Sequence, residues 1–253
     1  MGWDLKWQVF EKSILTSNVQ QQILTGLLNT VKIAVVGLLM GIVVGTIIAT
    51  VNVIPKKKVI PRRFDWKKDW YMVIGRAVPR ILKFFCDIYV AFFRGAPIVV
   101  QLLLGYYVVL PMMGIHLNSV YVCMLIFGLN SGAYVAEIMR SGIQAVDPGQ
   151  LEAGRAMGLS YPVSMIKIVI PQAIKNILPT LGNEFISLIK ETSVVSFVGA
   201  LDLYTAFKLI GSKNYEPMIP YIAMAVVYIG LVLVITLLVK YMERMLKKSD
   251  RRS

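Results

Sequence analysis

The stretch Asp147-Pro148-Gly149-Gln150-Leu151-Glu152-Ala153-Gly154, then Gly158, then Ile168 and Pro171, decides how this chain is read. Asp147 suits a helix N-cap, Pro148 the first helical position, and Gln150 stands three residues after the cap, so a short helix is expected to start here. Gly158 suits its stop, where a side chain would disturb both backbone geometry and close approach. Ser160 is placed to cap a second short helix through about Ile168, and Pro171 ends it or opens the next element. The expectation is helix, glycine corner, helix, set between strongly apolar segments and able to transmit force.

Those flanking segments place the chain in a bilayer. Apolar residues make up 57% of 253 residues and mean hydropathy is +0.66, against about 45 to 50% apolar in soluble domains. No Asp, Glu, Lys or Arg stands between Arg94 and Glu137, enough for two spans of about 20 residues each. Pro111-Met112-Met113-Gly114 and Asn118 mark the turn between them. Pro217 to Val239 gives another span, Ile33 to Ile54 one more that extends back past Lys32, and Ile177 to Leu201 a fifth that carries Glu184, Lys190 and Glu191. The fold class expected is an all-α integral membrane protein of about five transmembrane helices.

Net charge is +13. Lys56, Lys57, Lys58, Arg62, Arg63, Lys67, Lys68, Arg76, Arg80 and Lys83 crowd one loop, and the tail from Lys240 is basic, while the Pro111 to Ser119 turn has no cation. The positive-inside rule then gives N-out, C-in, with the 55 to 83 loop, the 141 to 176 loop and the tail in the cytosol. This divides the chain into an extracytoplasmic segment 1–22, a membrane domain 23–242 and a basic cytosolic tail 243–253. Anionic lipid headgroups explain the basic loop, so nucleic acid is not an expected partner. The first dozen residues lack the apolar core of a cleavable signal, and Gly2 is followed by Lys6 where myristoylation wants Ser or Thr. Cys86 and Cys123 are expected to be free packing thiols, and His116, the sole histidine, has no metal-ligand cluster around it. No Gly-Lys-Thr or Gly-Lys-Ser phosphate loop occurs, so any ATP is hydrolysed by another chain.

No internal repeat is evident, unlike the duplicated halves of many secondary transporters. Ile81, Phe85, Ile88 and Phe92, with Leu82, Tyr89 and Phe93, follow helical spacing and predict a helix at the cytosolic interface. It turns into the second span at Arg94-Gly95-Ala96-Pro97.

With these residues in hand, the chain resembles the membrane permeases of ATP-binding-cassette importers. Their signature reads Glu-Ala-Ala, Gly six residues after the Glu, Ile ten later and Pro three further on. Here Glu152, Ala153, Gly158, Ile168 and Pro171 keep the register, with Gly154 in place of the second Ala. The resemblance narrows to the polar amino-acid uptake subfamily, which carries Arg-Gly-Thr-Pro followed by a Gln. This chain has Ala96 for Thr, keeps Gln101, and continues the likeness through Ser131 to Ile143, Gly149 to Glu152, Asn183-Glu184-Phe185 and Lys190-Glu191-Thr192-Ser193. The long basic loop from about Pro55 to Pro79 departs from the family. The resemblance implies a non-enzymatic subunit of the bacterial cytoplasmic membrane that crosses it several times. It further implies a second identical or related permease subunit, an extracytoplasmic amino-acid-binding protein, and cytosolic ATPase subunits that bind the ATP and Mg. Asp147, Glu152, Ala153, Gly154, Met157 and Gly158 would then form the coupling helix that docks into the ATPase.

Charges inside a span are functional candidates, because each costs about 2.5 to 3.5 kcal/mol at the bilayer centre. Glu184 and Glu191 lie seven residues apart and share a helix face with Leu188, while Lys190 points elsewhere, toward a carboxylate of another span. Two readings stay open: a buried ion pair, or a substrate cavity lined by Asn130, Asn183, Glu184, Glu191, Thr192 and Ser193. A zwitterionic amino acid needs an acceptor for its ammonium and donors for its carboxylate, which this set offers. Two carboxylates against one lysine favour cationic or neutral polar substrates. Glu137 is expected to pair with Arg140 within its helix. The competing function is an ion-gradient-driven secondary transporter or channel, which has no need of the 147 to 171 loop. No nucleophile, base and orienter set can be assembled for an enzyme.

Overall fold

The computed structural model describes residues 2–53 and 66–250, with side chains in the second stretch from 77 to 246. The basic run Lys56 to Arg63 and the side chains of Lys67, Lys68 and Arg76 therefore lie outside the described residues. Eleven α-helices follow in chain order: α1 (Trp3–Ile14), α2 (Ser17–Val53), α3 (Trp66–Gly95), α4 (Ile98–Leu104), α5 (Leu110–Met112), α6 (Ser119–Gln144), α7 (Pro148–Ala156), α8 (Tyr161–Ser164), α9 (Ile170–Glu191), α10 (Leu203–Lys213) and α11 (Met218–Asp250). No strand occurs among the described residues.

Three helices are by themselves long and apolar enough to cross a membrane: Ser17–Asn52, Ser119–Gln144 and Met218–Leu246. Two bent pairs raise the count to as many as five. Ala77–Gly95 meets Ile98–Met112 at 109°, and Tyr161–Val198 meets Leu203–Lys213 at 51°. Bending is local and has identifiable causes. At 95–97 a glycine and Pro97 separate α3 from α4. Past Glu191 the chain tightens into a 3₁₀ segment, Thr192–Val198, that ends on Gly199 in the left-handed conformation at φ 70°.

Several boundaries differ from expectation. The loop expected from Pro55 to Pro79 is helical from Trp66, and α3 carries Pro79 in its interior. The second span, read from the uncharged run after Arg94, comprises α4, a five-residue π-helical turn at Gly105–Val109 and α5. At 1.5 Å per residue this reaches only about 22 Å, short of a bilayer core of about 30 Å. The short helix expected to stop near Ile168 does not stop: α8 runs through a π-helical turn, Met165–Val169, straight into α9, with Pro171 in its first turn. Ser160 makes no side-chain cap. Helix α2 runs through residue 22 and α11 through residue 243, so each expected domain boundary falls within a helix. Helix α10 was not anticipated; Asp202 caps it by accepting from the amides of Tyr204 and Thr205 at 3.1 and 2.8 Å.

The bundle is assembled around α2 against α6. On α2, Gly37, Gly41 and Gly45 recur every fourth residue, and Gly128 and Gly132 do so on α6. A Cβ added at Gly41 would stand 2.6 Å from Ser131 Oγ, and one at Gly45 2.7 Å from Val135 Cβ. From the other side, one at Gly128 would stand 2.7 Å from Met40 Cβ and one at Gly132 2.8 Å from Val44 Cγ1. Small residues at four-residue spacing let two membrane helices approach to backbone contact, which is where packing is gained when lipid is as apolar as the side chains. Around this seam α4, α9 and α11 close a core of Ile33, Leu102, Phe127, Leu188, Val195 and Ile235. A second cluster, Val135, Val146, Met165, Val169 and Ile177, joins the end of α6 to α7–α9, and a third, centred on Phe10, Leu203, Phe207 and Ile219, ties α1 to α10 and α11.

Gly41→Val is expected to cost about 1 to 3 kcal/mol by overpacking, lowering the thermal midpoint of the purified protein by roughly 2 to 12 °C. Gly230→Val on α11, where nothing lies within 4 Å of an added Cβ, is expected to leave the midpoint unchanged in the same melt.

Candidate functional site

At the start of α7, Asp147 Oδ1 accepts from the Gly149 amide at 2.9 Å, as a cap should. Gln150 does not complete a reciprocal capping box; its Oε1 accepts from Gln172 Nε2 at 3.3 Å and so ties α7 to α9. The helix ends with Leu159 N bonded to Gly154 O and Gly158 N to Arg155 O, both at 3.1 Å. This is the paired C-terminal pattern that requires a left-handed residue, and Gly158 supplies it at φ 84°. Nothing lies within 4 Å of an added Cβ at Gly158, so its backbone angle, and not close approach, is the reason for glycine. Close approach belongs to Gly154 instead. It is buried against α8 and the turn after it, where an added Cβ would meet Ile168 Cδ1 at 2.7 Å and Ser164 Oγ at 3.1 Å. Glu152, Ala153 and the C-cap residue Met157 are among the exposed residues of α7 and its end, as are Arg155 and Ala156, and Met157 is 83% exposed.

Inside the bundle, Glu184 Oε1 accepts from Ser131 Oγ at 3.0 Å, and Ser131 is the residue seated on Gly41. Glu184 thus has a hydroxyl partner, not the cation of the ion-pair reading, and among the described residues no ion pair includes Glu184, Lys190 or Glu191. Asn183 is exposed, whereas Glu184 is half-buried. Thr192 is fully buried and donates to Ile189 O at 2.8 Å; Ser193 donates to Lys190 O at 3.2 Å.

Asn130 lies elsewhere. Its amide donates to Phe93 O at 3.1 Å and to Gln101 Oε1 at 3.0 Å, while Gln101 Nε2 donates to the carbonyls of Phe93 and Ala96, both at 2.8 Å. A break between membrane helices frees backbone carbonyls that must be satisfied internally, and these two buried amides do so for the α3–α4 bend. Beside it, Arg94 stands 5.6 Å from the Tyr134 ring centroid and 3.9 Å from Glu137 Oε2. Glu137 also takes the expected pair from Arg140, whose Nε lies at 2.9 Å.

The feature the residue-by-residue reading missed is a continuous stripe. Asn176, Thr180, Asn183, Ser187 and Lys190 recur every three or four residues along one face of α9, and Glu191 stands at its edge on the side of Glu184. Ala173, Ile177, Leu181 and Leu188 occupy the buried face. The stripe begins beside a cleft of about 620 Å³ between α6, α9 and α11, lined by Ser141, Lys175, Asn176, Thr180 and Glu243. Five exposed polar or charged residues and the half-buried Ser187 on a membrane helix require water or another protein surface against them, since lipid satisfies neither. Its signal is the 4-3-4 spacing of the uncharged Asn176, Thr180, Asn183 and Ser187, which leads up to Lys190.

Comparison with known proteins agrees with this geometry. The family described as binding-protein-dependent transport system inner membrane component matches residues 72–248. A putative glutamine transport system permease protein of Rickettsia bellii is 35% identical, covering 88% of this chain and 92% of that protein. The arginine transport system permease protein of Bacillus subtilis is 34% identical, covering 90% and 94%. Among solved structures, the crystal structure of an amino acid ABC transporter with histidines superposes with a TM-score of 0.76 at 35% identity, covering 89% of this chain and 94% of that one. The inward-facing methionine ABC transporter superposes at 0.71 over 92% of this chain and 99% of that one; at 17% identity it supports the fold alone. The ion-gradient alternative is thereby set aside, and ATP hydrolysis falls to a separate subunit. The chain belongs to the family of binding-protein-dependent transport system inner membrane components, the membrane-spanning subunits of ATP-binding-cassette importers.

Proposed function

We propose that the polar stripe of α9 lines the path of a polar amino acid through the membrane, delivered by an extracytoplasmic binding protein and driven by cytosolic ATPase subunits. The single observation that carries this is the exposure of Asn183, Lys190 and Glu191 along one face of a candidate span. The glutamine and arginine named for the relatives in Rickettsia bellii and Bacillus subtilis support an amino-acid substrate of neutral or cationic side chain. In this reading Glu184, held by Ser131, receives the substrate ammonium. Asn183, Glu191 and Ser193 offer further polar contacts along the path, whereas Asn130 and Thr192 shape it from behind.

Coupling runs through the 147–171 loop. Glu152, Ala153 and Met157 present the outward face of α7 to the ATPase, Asp147 and Gly158 set its two ends, and Gly154 lets it lie flat on α8. The tie from Gln150 to Gln172 and the unbroken run of α8 into α9 support a short mechanical route from this face to the stripe. The orientation is N-out, C-in in the bacterial cytoplasmic membrane, with α7 in the cytosol. ATP and Mg are bound by the ATPase.

Gly158→Val forces a β-branched residue into the left-handed region, and the resulting strain of about 1 to 3 kcal/mol falls on α7 alone. The assembled complex is expected in normal yield with binding-protein-stimulated ATPase activity and uptake reduced severalfold; normal stimulation would remove α7 from the coupling route. Glu184→Gln retains the shape of the side chain but loses its charge. Uptake of a cationic or neutral polar amino acid is expected to weaken about 10- to 100-fold, the value of a charge-assisted hydrogen bond, with yield and basal ATPase rate retained. Unchanged uptake in proteoliposomes would exclude Glu184 from substrate binding.

A further inference from the structure

Lys190 and Glu191 occupy the last turn of α9, both exposed, within the bent span Tyr161–Val198 plus Leu203–Lys213. The ion pairs formed among the described residues are Lys6–Glu216, Lys83–Asp87, Arg94–Glu137 and Arg140–Glu137, and none of them uses either residue. Glu184, nearly two turns closer to the coupling corner, accepts from Ser131. A lysine and a glutamate therefore stand next to each other at the exposed end of a membrane helix, and neither is in an ion pair with its own chain among the described residues.

We propose that they are completed by a second copy of this chain, Lys190 bridging to Glu191 of the partner subunit and Glu191 to Lys190 of the partner subunit. The proposal deepens the reading of the α9 stripe as the wall of the path and rests on it. A two-fold axis makes each contact occur twice, residue i against j and j against i. When that axis runs along the membrane normal, both copies keep the same depth. Lys190 and Glu191 are consecutive and differ in height by only about 1.5 Å, so each meets the opposite charge of the other copy nearly level with itself. The neighbouring stripe residues are also polar and self-compatible: Asn183 and Ser187 each carry donor and acceptor groups. An apolar partner surface would leave the two charges unmet, so a copy bearing the same sequence is the occupant the chemistry selects.

The bridges also fit the cargo. An amino acid in its zwitterionic form carries one ammonium and one carboxylate, the same two groups that each bridge joins. It can replace a bridge with its own two charges and leave neither Lys190 nor Glu191 uncompensated. The paired bridges thus hold the end of the path remote from α7 closed when no amino acid is present, and an arriving zwitterion opens it without stranding a charge.

The test uses the chain co-expressed with its ATPase and reconstituted in nanodiscs, in a background carrying Cys86→Ser and Cys123→Ala that transports normally. One tagged copy carries Lys190→Cys and a differently tagged copy carries Glu191→Cys. Oxidation with copper phenanthroline is expected to link the two tags in most complexes, and saturating amino acid with ATP is expected to lower the linked fraction at least threefold. In parallel, Lys190→Glu or Glu191→Lys alone is expected to reduce uptake at least tenfold, with the double reversal restoring it to within threefold of the unmodified chain. Two copies present by native mass, with no cross-link and no rescue by the double reversal, would overturn the bridges while leaving the path reading intact. A single copy, or a copy paired with a different permease, would overturn the choice of occupant. Bridges that form and exchange while Thr180→Cys and Asn183→Cys never react with a water-soluble thiol reagent would remove the path reading itself.

Discussion

Helices α2 and α6 meet at backbone distance because glycines stand at every point where a side chain would intervene. Gly37, Gly41 and Gly45 on one helix interleave with Gly128 and Gly132 on the other. The rest of the structure is referenced to this seam. Ser131 lies on Gly41, and Glu184 of α9 is held by Ser131, so the position of a carboxylate in the third helix is set by the absence of a Cβ in the first. Gly132 leaves room for Tyr89, which brings α3 against α6; Asn130, on the same helix, then satisfies the broken backbone at Phe93.

That arrangement explains how one chain can be rigid and carry a polar face in the same membrane. The buried face of α9 is packed with Ala173, Ile177, Leu181 and Leu188, while the adjoining flank carries Asn176, Thr180, Asn183, Ser187 and Lys190, with Glu191 at its edge. Since α8 passes into α9 without a stop, a continuous helical element joins the α7 corner to the level of Glu184 and beyond, the route along which the proposed coupling would run. A left-handed glycine at each end of the α8–α9 run, Gly158 and Gly199, marks where the chain turns and where the rigid element is bounded.

Much of this was legible in the sequence. The apolar runs placed the spans, Asp147-Pro148 and Gly158 placed α7, and three charges in one span signalled a polar interior. What was not legible has physical reasons. A proline normally ends a helix, yet α3 carries Pro79 through its interior, so the loop before it was read as too long. Pro171 was read correctly as compatible with a helix start, but the π-helical turn that joins it to α8 has no residue signature. Periodicity puts Asn130 on the face of Glu137 without saying what packs there, and the answer was backbone carbonyls of another helix. Gly154 was read as part of the docking surface because it stands in the signature; burial against Ile168 shows that the same position serves the interior. Helix α10 is short and of mixed polarity, and only the cap at Asp202 could have announced it.

The central claim is that the exposed face of α9 meets water and substrate, not lipid. Single cysteines introduced along α9 and α11, in a chain with Cys86 and Cys123 replaced and assembled with its ATPase, measure this directly through their reaction with a membrane-impermeant thiol reagent. The account expects positions 176, 180, 183 and 187 to react, with the three- or four-residue period of a helix face, and to be protected by a transported amino acid. Positions 229, 233 and 237 on the apolar face of α11 are expected to stay unreactive. Reactivity that is absent along the α9 stripe, or equal at the α9 and α11 positions and indifferent to amino acid, would contradict it.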